Sequence, residues 1–189
     1  TTRVAAGLGM IPRVAASGEA IYRGRVPSVE IEHRLETCWR PYHTALTGLI
    51  EQTHRQFGTA LLIDAHSMPS SGVGPRDRDH RVDIVLGDNH GESCSPDLVD
   101  SAERWFAGRG LRIQRNQPYA GGFTTQRYGR PSIGRHALQV EINRALYMNE
   151  ARHEKLPTAA AVERVMAGFL EEMAAQASAV LAPRPLAAE

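Results

Sequence analysis

Apolar positions along this 189-residue chain follow two different periods. From Ser28 onward, Ile31, Leu35, Cys38, Tyr42, Leu46 and Leu49 recur every three or four residues, the stripe of an amphipathic helix. Ser28 reads as its N-cap, Pro41 as a break or kink near its middle, and Gly58 as its stop. A short apolar strand, 59–65, follows and empties into polar residues where His66 appears. Further strands are predicted over 82–86, 111–114 and 136–143. Ser95 and Pro96 look like an N-cap and first helical proline, opening a helix that runs to about Gly108. After Pro157, the residues Val162, Val165, Met166, Phe169, Leu170 and Met173 mark a long terminal helix. Residues 1–27 read as loops with at most one weak strand, and 68–80 and 117–134 as loops.

Alternating helices and strands of this kind predict an α/β fold, a sandwich built on a mainly parallel or mixed sheet. The length suits one well-cored domain, residues 1–189, without repeats. Hydrophobic content of 42% is that of a soluble globular chain. Net charge is +1 and the arginines are scattered, Lys155 being the one lysine, which argues against nucleic-acid and membrane partners. Two cysteines make no disulfide framework: Cys38 falls in the helical pattern as core packing, and Cys94 in a polar loop. With no apolar run of membrane-spanning length and no signal-peptide pattern, the expected location is cytoplasmic. The oligomeric state is not legible.

Chemistry is expected where strands end at a sheet rim. His66 sits at such an end with Asp64 just before it, and Glu141 lies on the apolar strand His136–Asn143. Together they suggest a metal ligand and a general base. Spacing alone leaves two alternatives open: His66 as a hydrogen-bonded strand-end histidine, and Glu141 as the ion-pair partner of Arg144 or another arginine. The cluster Asp77, Asp79, His80, Asp83, Asp88 and His90 has no recognised ligand spacing. Of these, Asp88 is retained because it directly follows a strand. Ser67 lacks the Gly-x-Ser-x-Gly elbow of serine hydrolases, and Gly121-Gly122 lacks the lysine of a phosphate loop. The stretch from Asn116 to Gly129, with Tyr119, Thr125, Arg127 and Tyr128, is the best substrate loop. Arg127, Arg130, Arg135 and Arg144 are available to grip a carboxylate.

Four segments together resemble one family: 63–69 (IDAHSMP), 83–88 (DIVLGD), 118–122 (PYAGG) and 136–148 (HALQVEINRALYM). The pieces Gly7-Leu8-Gly9-Met10-Ile11-Pro12-Arg13 and Pro41-Tyr42-His43 fit as well. The resemblance is to N-formylglutamate amidohydrolases, and it extends over nearly the whole chain in the same order. It implies a three-layer α/β/α sandwich with a mixed sheet, similar to zinc carboxypeptidases and aspartoacylase, with zinc at the sheet rim. It further implies hydrolysis of the formyl amide of N-formyl-L-glutamate to formate and L-glutamate, late in histidine degradation, by zinc-bound water with a glutamate general base. His66 would be the last zinc ligand and Glu141 the base. Arg144 would lie near the site, and the loop from Tyr119 to Tyr128, with Thr125 and Arg127, would close over the substrate, with Asp88 nearby. The partner would be a small N-acyl amino acid, with another N-acyl amino acid, a peptide or a metal-free binding role as alternatives. The family's first metal-binding turn and its Asn-Arg pair belong upstream of Thr1, so the chain is expected to be the C-terminal portion of a larger amidohydrolase domain.

Overall fold

Polar residues close each apolar run, and the computed structural model, which describes residues 11–15, 18–70 and 82–180, gathers those runs into two compact units, Thr1–Gly48 and Leu49–Glu189. In the first unit Val14 and Ala20 form an isolated antiparallel bridge. Helix α1 (Ser28–Arg34) follows, its Arg34 bonded to Glu30 at 2.7 Å and to the Tyr22 hydroxyl at 2.8 Å. Ser28 is already helical. Pro27, with extended backbone, holds the cap position instead, and no side chain caps the helix. Nor does Pro41 break the run. A π-turn (Leu35–Trp39) precedes helix α2 (Arg40–Phe57), and the Arg40 N–H reaches five residues back to the Leu35 carbonyl. Proline has no N–H and its ring collides with the carbonyl four residues earlier; a wider turn just ahead relieves both, so the helix continues. Part of the predicted stripe stays open: Tyr42 is 57% and Leu49 61% exposed, while Ile31, Leu35 and Leu46 are half-buried. Cys38 is exposed as well, against the expectation of a core position.

Gly58, at φ 72°, ends α2 as the sequence suggested, its N–H on the His54 carbonyl at 2.8 Å. The second unit then runs β1 (Ala60–Met68), β2 (Ile84–Gly87), α3 (Pro96–Ala107), β3 (Ile113–Arg115), α4 (Phe123–Tyr128) and β4 (Arg135–Asn143). A small hairpin, β5 (Met148–Asn149) with β6 (Glu154–Lys155), leads to α5 (Ala159–Val180). The main sheet has the order β1-β4-β2-β3. β1 pairs parallel with β4 and β2 parallel with β3, while β2 and β4 are antiparallel. This is the mixed α/β architecture the element pattern predicted.

Side chains alternate across a strand, and the two faces of this sheet differ sharply. On one face Ile84 and Leu86 of β2 and Leu138 and Val140 of β4 join Leu98, Val99, Ala102 and Phe106 of α3 and Phe169 and Met173 of α5 in a buried core. Cys94 lies in the loop before α3, as expected, but its side chain is part of that core, and burial pushes its thiol up to about 12. The other face carries Val85 but also Asp64, His66, Gln139 and Glu141. Two boundaries depart from the sequence reading. β1 continues through His66 to Met68, and the expected loop 117–134 contains α4 and a 3-10 turn (Pro131–Ile133). α4 has six residues between glycines, too short for a period to register. No helix among the described residues is long and apolar enough to cross a membrane.

His136, the second residue of β4, is almost fully buried, its Nδ1 accepting the Ser95 N–H at 3.2 Å. Burial holds the imidazole below its ordinary value of 6.5. The unfolded chain therefore takes up a proton that the folded one refuses. Stability is full above about pH 6.5 and declines as pH falls from there toward the folded value. Urea midpoints at about pH 7.5 and about pH 5 should differ less in His136→Gln than in the unaltered protein. An equal drop in both would remove His136 from the acid limb.

Candidate functional site

β1 and β4 deliver two functional groups side by side. In their parallel register Asp64 faces Gln139, and His66 faces Glu141, so all four side chains lie on the same sheet face. Expected beyond the strand, His66 instead lies within it, two residues before its end. The His66 ring Nε2 is 3.0 Å from Asp64 Oδ1, which leaves Nδ1 for another partner. Its side chain is half exposed.

Glu141 is buried at 6% exposure. Its Oε1 accepts the Gln139 amide at 2.9 Å. Burial raises its carboxyl above the ordinary 4.5. His66, Asp64, Gln139 and Arg144 modulate that rise: Asp64 adds to it, and the other three oppose it. The ion pair left open by the sequence gives way to this amide contact, because Arg144 turns elsewhere. Arg144 Nε donates to Ser67 Oγ at 3.1 Å and Nη2 lies 3.4 Å from the Ser67 carbonyl. Asn143, fully buried, places that arginine. Its amide donates to the Val82 carbonyl at 2.8 Å and its Oδ1 accepts the Ala145 N–H at 3.0 Å, ending β4 and starting the 3-10 turn (Arg144–Leu146).

The glycine-rich loop reaches the same face. Tyr119 packs on Met68, Val82 and Val85, and Val85 is the β2 partner of Glu141. Gly87 makes this approach possible: a Cβ there would lie 2.7 Å from the Gly121 nitrogen and 2.8 Å from the Ala120 carbonyl carbon. Beyond the loop, α4 packs on β4 and β1. Thr125 is buried with its hydroxyl on the Gly122 carbonyl at 2.9 Å, and Tyr128 is buried. The Arg127 guanidinium sits 5.7 Å from the ring centres of Phe123 and Tyr128.

Asp88 lies apart from this group. Because β2 runs against β4, its carboxyl end points toward the opposite rim, so following a strand does not bring Asp88 to His66. Its carboxylate accepts the Asn116 amide at 2.7 Å, and its backbone N–H donates to Asn116 Oδ1 at 3.1 Å, which ties two loops together. Asp83, from the same acidic cluster, is held by Arg112 at 3.0 Å. Asp77, Asp79 and His80 lie outside the described residues. Among the described residues no three His, Cys, Asp or Glu side chains form a metal-binding group. Zinc hydrolases take three protein ligands, so these residues offer His66 as one fitting donor and not a complete shell.

Gln139 escaped the sequence reading. A signal was present: Gln139, Glu141 and Asn143 alternate with Leu138, Val140 and Ile142, a polar face of period two on a strand otherwise apolar.

Comparison with known proteins agrees with the motif order. Residues 1–148 match the model of the family described as N-formylglutamate amidohydrolase. The chain is 37% identical over 146 residues to an N-formylglutamate deformylase of Pseudomonas putida, covering 75% of this chain and 54% of that protein. The corresponding protein of Pseudomonas aeruginosa gives the same figures of 37%, 146 residues, 75% and 54%. The chain thus spans about half the length of the curated relatives it matches. Among solved structures, an N-formylglutamate amidohydrolase from Ralstonia eutropha superposes with a TM-score of 0.83 at 31% identity, over 93% of this chain and 63% of that one. A gene product from Agrobacterium tumefaciens shares the fold, with a TM-score of 0.61 at 22% identity over 90% of this chain and 61% of that one. With its ordered motifs, its fold and the family match all in agreement, the chain belongs to the N-formylglutamate amidohydrolase family.

Proposed function

We propose that the protein hydrolyses the formyl amide of N-formyl-L-glutamate to formate and L-glutamate, with Glu141 as general base and a zinc ion held in part by His66. The observation that carries this reading is the placement of a buried, amide-bonded carboxylate beside an imidazole on adjacent parallel strands. Bound at that rim, zinc would supply Lewis acidity toward the amide carbonyl and acidify water. His66 would be one of the three protein ligands that such a zinc needs.

The chain's own groups have separable tasks. Glu141, its carboxyl raised by burial above the ordinary 4.5, accepts the proton of the attacking water and can return it to the departing glutamate nitrogen. Asp64 fixes the His66 ring through Nε2. Arg144 uses Nε and Nη2 on Ser67, so Nη1, without a partner among the described residues, remains for a substrate carboxylate. Tyr119, packed beside Val85, stands where the loop meets the substrate, and Thr125, Tyr128, Arg127 and Asp88 shape the loop from behind rather than touching the reacting amide.

Formate release from N-formyl-L-glutamate by the full-length protein tests the reading, with N-acetyl-L-glutamate and a formyl-peptide as competing substrates. Preference for N-formyl-L-glutamate is expected, and a chelator should lower the rate at least about tenfold, restored by added zinc. Turnover indifferent to chelation would exclude the metal. Faster cleavage of the competing substrates would exclude the formylglutamate specificity.

A further inference from the structure

Gln139 takes no part in the chemistry described above, yet its position is tightly determined. It is buried, as is Glu141 two residues on, and its Nε2 donates to Glu141 Oε1 at 2.9 Å. A Cβ at Gly122 would lie 3.5 Å from its Oε1, so the loop packs against the amide's other end. β1 repeats the arrangement: Asp64 faces Gln139 across the register and bonds His66, two residues on, just as Gln139 bonds Glu141. Each strand therefore carries a functional group near the rim and, two positions earlier, the side chain that holds it.

The choice of an amide has a physical reason. A carboxylate at 139 would repel Glu141 in a buried setting, and an ammonium would neutralise it as an ion pair. An amide donates to one oxygen without adding charge. A glutamate side chain has a freely turning terminal torsion, and bonding one oxygen removes that freedom.

We propose that Gln139 is a positioning residue that fixes Oε1 of Glu141, so that Oε2 is the oxygen presented for proton transfer. The proposal rests on the assignment of Glu141 as general base. Gln139→Met retains length and apolar packing but removes the donor. In the full-length protein it should lower kcat about tenfold to a hundredfold while KM stays within about twofold, since no substrate contact is lost. Combined with Glu141→Gln, it should add less than about twofold to the loss already produced by that change. Its crystal structure should show the Glu141 carboxyl rotated from its present setting. Gln139→Leu serves as the second variant, and equal thermal midpoints exclude simple unfolding.

Unchanged kcat overturns the proposal. So does a rise in KM alone, which would make Gln139 a substrate contact, or a loss that multiplies with that of Glu141→Gln. A Glu141 carboxyl unmoved in the variant structure overturns it whatever the substrate. Absence of formate release by the unaltered protein instead defeats the proposed reaction, and the variant structure then decides on positioning.

Discussion

Glu141→Gln is expected to lower kcat for deformylation by about 10³-fold while leaving the fold intact. Glutamine has the shape of the carboxyl and can still accept the Gln139 amide through its oxygen, so what is lost is the capacity to take a proton. Stability supplies an independent check. A folded-state value above the ordinary 4.5 means that this carboxyl stabilises the fold fully only below that pH, and the contribution is lost as pH rises through the folded value. A neutral glutamine should therefore leave the protein as stable as before, or more so, near pH 7, with the gap closing toward about pH 4. If Glu141 is the base of the proposed reaction, the acid limb of kcat in the unaltered protein should lie above the ordinary 4.5. Rate measurements with both proteins across pH, alongside urea midpoints, read all of this. Near-unaltered turnover in the variant would remove Glu141 as the base.

On the opposite face, Phe106→Ala should cost about 3–5 kcal/mol of stability. Phe106 of α3 and Phe169 of α5 are fully buried, with ring centres 4.6 Å apart. Truncation removes a ring's worth of apolar burial and opens a void. Phe106 also lines a half-open pocket of about 230 Å³ with Ile84, Arg109, Leu111, Leu146 and Thr158, and truncation would enlarge it. A domain has only about 5–15 kcal/mol in all, so the variant should sit near its unfolding transition at room temperature. Denaturation by urea measures the loss, and a cost below about 1 kcal/mol would mean that α3 and α5 repack without the ring.

The sequence made the elements legible, but not their arrangement. β1 and β4 were readable as apolar runs, and α5 by its period. The end of β1 is hard to read because Asp64, His66 and Ser67 look like an exit from the core; all three are strand residues, Asp64 and His66 on the face of Gln139 and Glu141. The direction of β2 has no signature in a four-residue apolar run, and that direction alone separates Asp88 from His66. Cys94 was hidden among polar neighbours, since only the packing of α3 brings it into the core. His66 and Glu141 could each be singled out, one by its strand end and both by the family resemblance. Their adjacency is a matter of register, which pairs residues far apart in the chain. Gln139 was overlooked because an amide inside an apolar strand reads as ordinary tolerance until its partner is known.

That register also bears on when the site can exist during folding. Ser67 of β1 and Arg144, just past the end of β4, meet at the rim 77 residues apart in sequence, and β1 and β4 run parallel with a long stretch of chain between them. Contacts of this separation demand the closure of a large loop before they return any free energy, and parallel pairings of this kind form slowly. The helices can appear early from local contacts, but His66 and Glu141 stay strangers until β4 docks beside β1. The candidate site thus exists only once this long-range pairing has formed, and a chain that lacks it carries no part-assembled version.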